Sequence, residues 1–358
     1  MSGGDEAVAA TGLPAPFLDN LVRPLFAEPR RAALATELLG APLAAAARLA
    51  LDGSPISDTA ALPPVARVGL VEAAATRHAA LSCLASLRDA GIEHVAIKGL
   101  AAAYTLYPHP GLRPLPDVDI LVRQSDLAAL VAHLKAAHFA TVEVPGATRR
   151  WGALTISSFA AAAPPDGAFL IDVHVAVDDP PASAGVPAHE IFEASREVET
   201  EGGPVRMPGR EHMLALLILN AFRDLYEPRG LKSLFDAALL LADTSPDLEQ
   251  VAAMARRGAF RRRAVFYREL CALLGVGDVS GLLPGHRLGP HGRRLVSEVA
   301  DNMRSITLLR FSDTRKLAFE MALYDSPMTT LRRNAGRILG LVRPRSNALP
   351  DLPVAETA

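Results

Sequence analysis

Two carboxylates stand one residue apart in residues 113–122, and their type and spacing suit metal chemistry. Asp117 and Asp119 are separated by one apolar residue and lead into an aliphatic run that ends at Val122. Because side chains alternate along a strand, both carboxylates leave the same face of a strand formed here. Two close carboxylates are costly to bury, and a divalent cation removes that cost. The pair therefore predicts half of a metal site, with Asp117 at the mouth of a buried strand.

A second acidic segment lies further along the chain. Asp172 and His174 alternate with aliphatic residues over residues 169–175, which is typical of a strand. If this strand lies beside the first, Asp172 completes a group of three carboxylates. Such a group holds one or two Mg²⁺ ions, which neutralise a triphosphate and activate an attacking hydroxyl. We expect Asp172 to be the base nearest the acceptor, and His174 to be an orienting residue of the metal site or a satisfied core histidine.

A lysine and a glycine stand at a predicted junction between a strand and a helix. Residues 93–97 are predicted as a strand, Lys98 and Gly99 follow at once, and a helical stretch continues to Tyr107. This order is typical of phosphate handling, because N–H groups at the start of a helix point toward a bound anion.

Length and composition restrict the molecule that must position these residues. The chain has 358 residues, of which 50% are hydrophobic and only 5% aromatic, so a helix-rich protein with an aliphatic core is expected. A net charge of −2 argues against a general nucleic-acid coat. We find no run of about 18 to 20 apolar residues, so we expect no membrane span. Cys83 and Cys271 are far apart, which favours a reducing cytoplasm.

The hydrophobic pattern divides the chain into a part with strands and a part with helices. Further strands are predicted at residues 141–144 and 154–159, and Ser125 is predicted to cap a helix that runs to about residue 138. Beyond residue 208 the pattern is helical. We predict an α+β fold, in which a mixed β-sheet with flanking helices is followed by a C-terminal helical domain. The predicted boundaries are a helical segment at 1–65, the sheet domain at 66–207, the helical domain at 208–345 and a tail at 346–358.

Taken together, the motifs resemble the uncharacterised nucleotidyltransferase family of the polymerase β-like superfamily. The resemblance runs from about residue 70 to residue 353. It rests on Lys98-Gly99, the proline-rich loop of residues 107–114, Asp117-x-Asp119, Asp172-x-His174, residues 229–236 with Lys232 four positions before Asp236, and the arginine-rich residues 331–344.

This resemblance implies a catalytic sheet domain, a helical domain that closes over the nucleotide, and an activity. The activity is transfer of a nucleoside monophosphate from an NTP to an acceptor, with release of pyrophosphate. The chain departs from the superfamily at the glycine motif, where Gly99 is followed by Leu100 instead of serine and lies 18 positions before Asp117. Lys98 then takes the place of the serine as a point charge on the phosphates.

The sequence leaves two possible roles for several basic residues. Arg113 either contacts phosphate or pairs with Asp117, and Lys232 either contacts phosphate or forms a helix salt bridge with Asp236. Two arginine clusters, at residues 256–263 and 332–345, are solvated helix faces or bind an anionic acceptor. No aromatic residues are interleaved with them, so a nucleic-acid substrate is not favoured.

The sequence therefore predicts a Mg²⁺-dependent nucleotidyltransferase. Asp117, Asp119 and Asp172 ligate the metal, Lys98, Gly99, Arg113 and Lys232 bind the nucleotide, and His174 and Asp236 support them. The expected acceptor is a hydroxyl of a peptide or small molecule. The alternatives are a non-catalytic NTP-binding module of a regulatory or toxin–antitoxin type, and a metal-dependent phosphohydrolase.

Overall fold

The computed structural model of the chain describes residues 11–142, 158–162, 169–178, 180–224, 230–243, 245–306, 319, 322–326 and 328. These residues form two compact units. The helical unit holds the described residues of Met1–Glu72, Ala102–Pro114 and Arg210–Pro327. The sheet unit holds those of Ala73–Ala101, Leu115–Gly209 and Met328–Ala358. The predicted tail at 346–358, the arginine cluster at 332–345 and Arg229 lie outside the described residues.

Five strands form the main sheet of the sheet unit. They are β1 (His94–Ala96), β2 (Asp117–Val122), β3 (Ala140–Val142), β4 (Ser158–Ala162) and β5 (Leu170–His174). Their order across the sheet is β1-β2-β5-β4-β3. The strands β2 and β5 run parallel, and the other neighbours are antiparallel. The predicted mixed sheet is therefore confirmed.

The strand β2 lies inside the sheet because its residues suit burial on both faces. Val118 and the aliphatic run from Ile120 to Val122 are fully buried, as expected for a strand between two neighbours and under covering helices. A short antiparallel pair, β6 (Arg196–Val198) and β7 (Val205–Met207), also belongs to this unit. The sequence did not predict this pair.

The sheet unit also contains helices, some with all of their residues and some with only part of them. They are Pro64–Asp89, Lys98–Thr105, Leu127–Ala136, Ala182–Gly185 and Ala188–Ala194. The predicted cap at Ser125 was wrong, because the helix at Leu127–Ala136 has Asp126 as its N-cap residue and a single 3₁₀ turn, Gln124–Asp126, precedes it.

The helical unit is built from closely packed helices. Their bounds are Ala15–Phe17, Leu18–Val22 (a π-helical turn), Arg23–Phe26, Pro29–Leu39, Ala41–Leu51, Arg210–Asp224, Gly230–Asp243, Leu248–Arg257, Arg261–Leu274 and Pro290–Ser305. Buried leucines and alanines form its core together with a few aromatic pairs, such as Phe17 and Phe235, whose ring centroids lie 5.1 Å apart. A Cβ on Gly275 would lie 2.4 Å from the carbonyl carbon of Pro16, so this close approach requires glycine.

The α+β class, with its mixed sheet and its helical part beyond residue 208, is confirmed over the described residues. Within the same residues, no helix is both long enough and apolar enough to cross a membrane.

Candidate functional site

The parallel pairing of β2 and β5 brings two of the predicted carboxylates side by side on one face of the sheet. Asp119 pairs with Asp172 in the strand register, and Leu121 pairs with His174. Because paired residues of neighbouring strands project from the same face, Asp119, Asp172 and His174 share one face of the sheet. One ligand atom from each of these three residues lies within 4.8 Å of the other two. The two strands are therefore neighbours, which is the condition under which Asp172 joins Asp119.

His174 lies between the two carboxylates. Its Nε2 atom is 2.9 Å from Oδ1 of Asp119 and 3.1 Å from Oδ2 of Asp172. The imidazole side chain is buried, so these contacts fix its position on the sheet face. The histidine can thus orient both carboxylates when Nε2 carries a proton, or offer that nitrogen as a ligand when it does not.

Lys98 is placed by the end of β1 and the start of a helix. The N–H of Ile97 donates to the carbonyl of Asp119 at 3.0 Å, which ties this chain segment to β2. Lys98 then begins the helix Lys98–Thr105 with a φ of +53°, a left-handed conformation. For a residue other than glycine, such a conformation costs about 1–3 kcal/mol and persists only where the surroundings impose it. The junction therefore holds the Cα of Lys98 in one place.

The ammonium of Lys98 forms an ion pair inside the site. Its Nζ atom contacts Oδ1 of Asp119 and lies 3.2 Å from Nε2 of His174. Gly99 follows as the second residue of the helix, where the backbone N–H groups have no partner inside the helix. The predicted Lys-Gly pair thus borders the carboxylates within the sheet unit.

The two carboxylates differ in their environment. The side chain of Asp119 is 7% exposed and that of Asp172 is 28% exposed. Burial alone would raise the pKa of Asp119, but the Lys98 charge and the hydrogen bond and charge of His174 outweigh it and hold this pKa below its usual range. The environment of Asp119 therefore favours its ionised form, and Asp172 is the more accessible carboxylate.

Asp117 begins β2 and is half-buried. It lies on the same face as Asp119, about 7 Å away along the strand. Among the described residues, the close group of ligand atoms consists of Asp119, Asp172 and His174. Asp117 therefore stands at the edge of this group, at the mouth of the strand.

Arg113 and Asp236 form a buried ion pair in the helical unit. The Arg113 Nε and one terminal guanidinium nitrogen donate to the two oxygens of Asp236, each at 2.8 Å. The hydroxyl of Tyr107 donates to the same carboxylate at 2.9 Å. Burial, followed by the Asp236 charge, raises the pKa of this phenol well above its usual value. The sequence did not identify Tyr107 as a partner of Asp236, or Asp236 as a partner of Arg113, for which it left a phosphate contact and pairing with Asp117 as alternatives.

Lys232 stands four residues before Asp236 on the helix Gly230–Asp243 and is half-buried. Its role stays a prediction, whether as a phosphate contact or as a partner of Asp236. Asp236 itself is 2% exposed, so it supports its neighbours from within the core of the helical unit.

Most arginines of the cluster at 256–263 have partners within the helical unit. Arg256 pairs with Glu249, and the Nε of Arg261 donates to Asp325 at 3.0 Å. Arg262 donates to the carbonyl of Tyr324 at 3.2 Å. Arg263 is buried, with its guanidinium 4.4 Å and 4.3 Å from the ring centroids of Phe222 and Tyr324. These contacts favour a structural role for the cluster over recognition of an anionic polymer.

The residues on the sheet face fit a divalent cation. Carboxylate oxygens are the ligands that Mg²⁺ takes from proteins, and an imidazole nitrogen also suits Mn²⁺ and other transition metals. Asp119 and Asp172 supply oxygens and His174 supplies a nitrogen, and these atoms lie close enough together to bind one ion. This donor set defines a candidate metal centre for one ion and leaves the choice of ion open.

A family model agrees with the resemblance seen in the sequence. A family model described as an uncharacterised nucleotidyltransferase matches residues 66–275, which is more than half of the chain. Among solved structures, an antigenic nucleotidyltransferase-like protein from Paracoccidioides brasiliensis is similar, with 19% identity and a TM-score of 0.36, over 57% of this chain and 95% of that chain. The search of curated proteins found no match.

Proposed function

Since the chain belongs to the uncharacterised nucleotidyltransferase family, we propose that it is a Mg²⁺-dependent enzyme that transfers a nucleoside monophosphate from an NTP to a hydroxyl group. The acceptor is a peptide or a small molecule. The observation that supports this most is the register of β2 and β5, which sets Asp119 opposite Asp172 with His174 between them.

In this proposal the sheet face holds one or two Mg²⁺ ions. Asp119 and Asp172 are the ligands, His174 orients them, and Asp117 joins them at the mouth of β2. Bound Mg²⁺ would neutralise charge on the phosphates and make the acceptor hydroxyl easier to deprotonate.

Lys98 and Gly99 bind the triphosphate. Lys98 carries a positive charge on a long flexible stem, and the N–H groups at the start of its helix point toward an anion. The residue lies at the junction of β1 and the helix, and its ammonium extends from there into the site, where it contacts Asp119. Together these groups substitute for the serine that the superfamily places after the glycine.

Asp172 is the base. The acceptor oxygen forms a bond to the α-phosphorus, the bond from that phosphorus to the pyrophosphate oxygen breaks, and the hydroxyl proton passes to Asp172. The greater exposure of Asp172 compared with Asp119 supports this assignment, because a base must be reached by the acceptor. Asp119, whose pKa is held low, serves better as a permanent ligand than as a proton acceptor.

The phosphate contacts that the sequence predicted for Arg113 and Lys232 differ in their support. Arg113 donates one N–H to the carbonyl of Pro114 and two to Asp236. Such a buried bidentate pair is strong, so its geometry favours a supporting role for Arg113 and Asp236. Lys232, which is half-buried, is the better candidate of the two for a phosphate contact.

The proposal is tested with the full chain, Mg²⁺ and NTPs that carry a label on the α-phosphate. We expect release of pyrophosphate and a labelled adduct on the acceptor, and loss of both in Asp119→Asn. The matched control is Asp89→Asn, which removes an exposed carboxylate from the same unit. Full activity of Asp119→Asn would refute the proposal.

Other products would identify the other candidates. Nucleotide binding without pyrophosphate release would indicate a non-catalytic NTP-binding module. Free nucleoside monophosphate without an adduct would indicate a phosphohydrolase. The alteration of the glycine motif at Leu100 is the sequence feature that favours the non-catalytic module.

A further inference from the structure

Lys98 contacts an atom that the candidate metal centre needs. Its ammonium pairs with Oδ1 of Asp119, and the same oxygen is 2.9 Å from Nε2 of His174. The Lys98 ammonium also lies 3.2 Å from that nitrogen. One positive charge of the protein therefore already touches two of the three groups whose ligand atoms lie close together.

A divalent cation at this centre would meet that charge at short range. Metal–oxygen distances are about 2.0–2.6 Å for Mg²⁺ and Ca²⁺, so an ion bound to Oδ1 of Asp119 would crowd the ammonium. The side chains of Lys98 and Asp119 are only 12% and 7% exposed, so solvent screens their charges poorly. Asp119 therefore cannot bind the Lys98 ammonium and the divalent cation at the same time without weakening one of the two contacts.

We propose that Lys98 is an internal competitor of the divalent cation for Asp119. Binding of the cation then displaces the ammonium from the carboxylate, and the phosphates of the nucleotide give the ammonium its new partner. The cation alone binds weakly, and the cation together with a triphosphate binds tightly. This inference rests on the proposed function and adds a coupling between the two ligands of the site.

The chemistry of lysine suits such an exchange. Its ammonium is a compact charge on a four-carbon stem, and it makes no fixed fork with a carboxylate. The Cα is held at the junction between β1 and the helix, where Ile97 bonds to the Asp119 carbonyl. The head group can therefore leave Asp119 while the backbone that carries it stays in place.

Titration of the full chain with Mn²⁺ alone tests the competition, with binding followed by calorimetry and by the electron paramagnetic resonance signal of free Mn²⁺. We expect Lys98→Met to bind Mn²⁺ about tenfold more tightly than the wild type, or more. Lys98→Arg, which keeps the charge, should bind no more tightly than the wild type. Lys135→Met removes an exposed positive charge from the same unit and should leave the affinity unchanged.

The double variant Lys98→Met with Asp119→Asn tests whether the gained Mn²⁺ affinity arises at this centre. We expect the gain in Mn²⁺ affinity to disappear in it. Circular dichroism and thermal unfolding show whether each variant is folded. If Lys98→Met does not fold, Lys98→Gln replaces it, since its neutral amide can still hydrogen-bond to Asp119.

The outcomes separate the inference from the proposed function. If the wild type binds Mn²⁺ through Asp119 and the neutral variants bind it no more tightly, the competition is overturned and the metal site stands. If neither the wild type nor the neutral variants bind Mn²⁺, the metal site and the competition both fail.

Discussion

Among the described residues, each unit holds a buried pair of a cation and an aspartate, and the two pairs differ in how firmly the cation is held. In the sheet unit, the Lys98 ammonium makes a point contact with Asp119, next to His174 and the partly exposed Asp172. In the helical unit, the Arg113 guanidinium makes two parallel bonds with Asp236, and Tyr107 adds a third.

This difference separates a pair that can exchange partners from one that holds a fold together. A bidentate guanidinium has a fixed geometry and leaves the carboxylate satisfied, whereas an ammonium on a flexible stem can move to a new anion. The side chains of Arg113 and Asp236 are 10% and 3% exposed, so burial by itself does not distinguish the pairs. The number of bonds and the neighbouring ligand atoms distinguish them.

Breaking the helical-unit pair should have the largest effect on stability. Asp236→Asn leaves the charge of Arg113 buried without its counter-charge, and we expect the free energy of unfolding to fall by about 3–5 kcal/mol. Denaturation in urea measures this loss. The double variant Arg113→Met with Asp236→Leu should recover most of it, because no charge is then left unpaired. A loss below about 1 kcal/mol in Asp236→Asn would contradict a structural role for the pair.

Removing the accessible carboxylate of the sheet unit should lower activity instead. We expect Asp172→Asn to reduce pyrophosphate release about 100- to 1000-fold, which is the size of effect seen when one preorganised group is lost. Its stability should change by less than about 1 kcal/mol, because Asp172 is partly exposed. Parallel assays of pyrophosphate release and urea unfolding test both statements, with Asp89→Asn as the control. A variant that keeps more than half of the wild-type rate would rule out Asp172 as base and ligand.

A conservative substitution at Arg113 separates the effect of its charge from the effect of its two-bond geometry. Arg113→Lys keeps the charge and loses the fork, and we expect a loss of about 1–3 kcal/mol in the free energy of unfolding. The Michaelis constant for the NTP should stay near that of the wild type. The opposite pattern, a raised Michaelis constant with unchanged stability, would support the predicted phosphate contact of Arg113.

The smallest expected effect concerns the third bond to Asp236. Tyr107→Phe removes only the hydroxyl that donates to this carboxylate, and we expect a loss of about 1–2 kcal/mol in stability. Thermal unfolding by calorimetry measures it. In the Asp236→Leu background the same substitution should cost much less, because the hydroxyl has lost its acceptor. Equal costs in both backgrounds would show that the bond contributes nothing.

The sequence predicted the elements of the site because the information is local. Side chains alternate along a strand, so the sequence predicts that Asp117 and Asp119 share one face of β2 and that Asp172 and His174 share one face of β5. The parallel pairing of β2 and β5 is consistent with this arrangement. The Lys-Gly pair at the end of β1 was recognised for the same reason.

Contacts between distant parts of the chain were not predictable from these patterns. Arg113 and Asp236 are 123 positions apart, and no local spacing joins them. The contact of Lys98 with Asp119 depends on the antiparallel pairing of β1 and β2 and on the left-handed backbone of Lys98. The pair β6 and β7 was missed because each strand has three residues and the first contains two charged ones.

The central claim is that the aspartate of the sheet-unit pair serves activity and the aspartate of the helical-unit pair serves stability. It is tested most directly by comparing Asp119→Asn and Asp236→Asn in one experiment that measures both pyrophosphate release and the free energy of unfolding. We expect a crossed result, in which Asp119→Asn is folded at assay temperature and inactive, and Asp236→Asn loses stability while its folded fraction keeps its rate. Wild-type pyrophosphate release by Asp119→Asn would contradict these roles, as would a folded fraction of Asp236→Asn that is as inactive as Asp119→Asn.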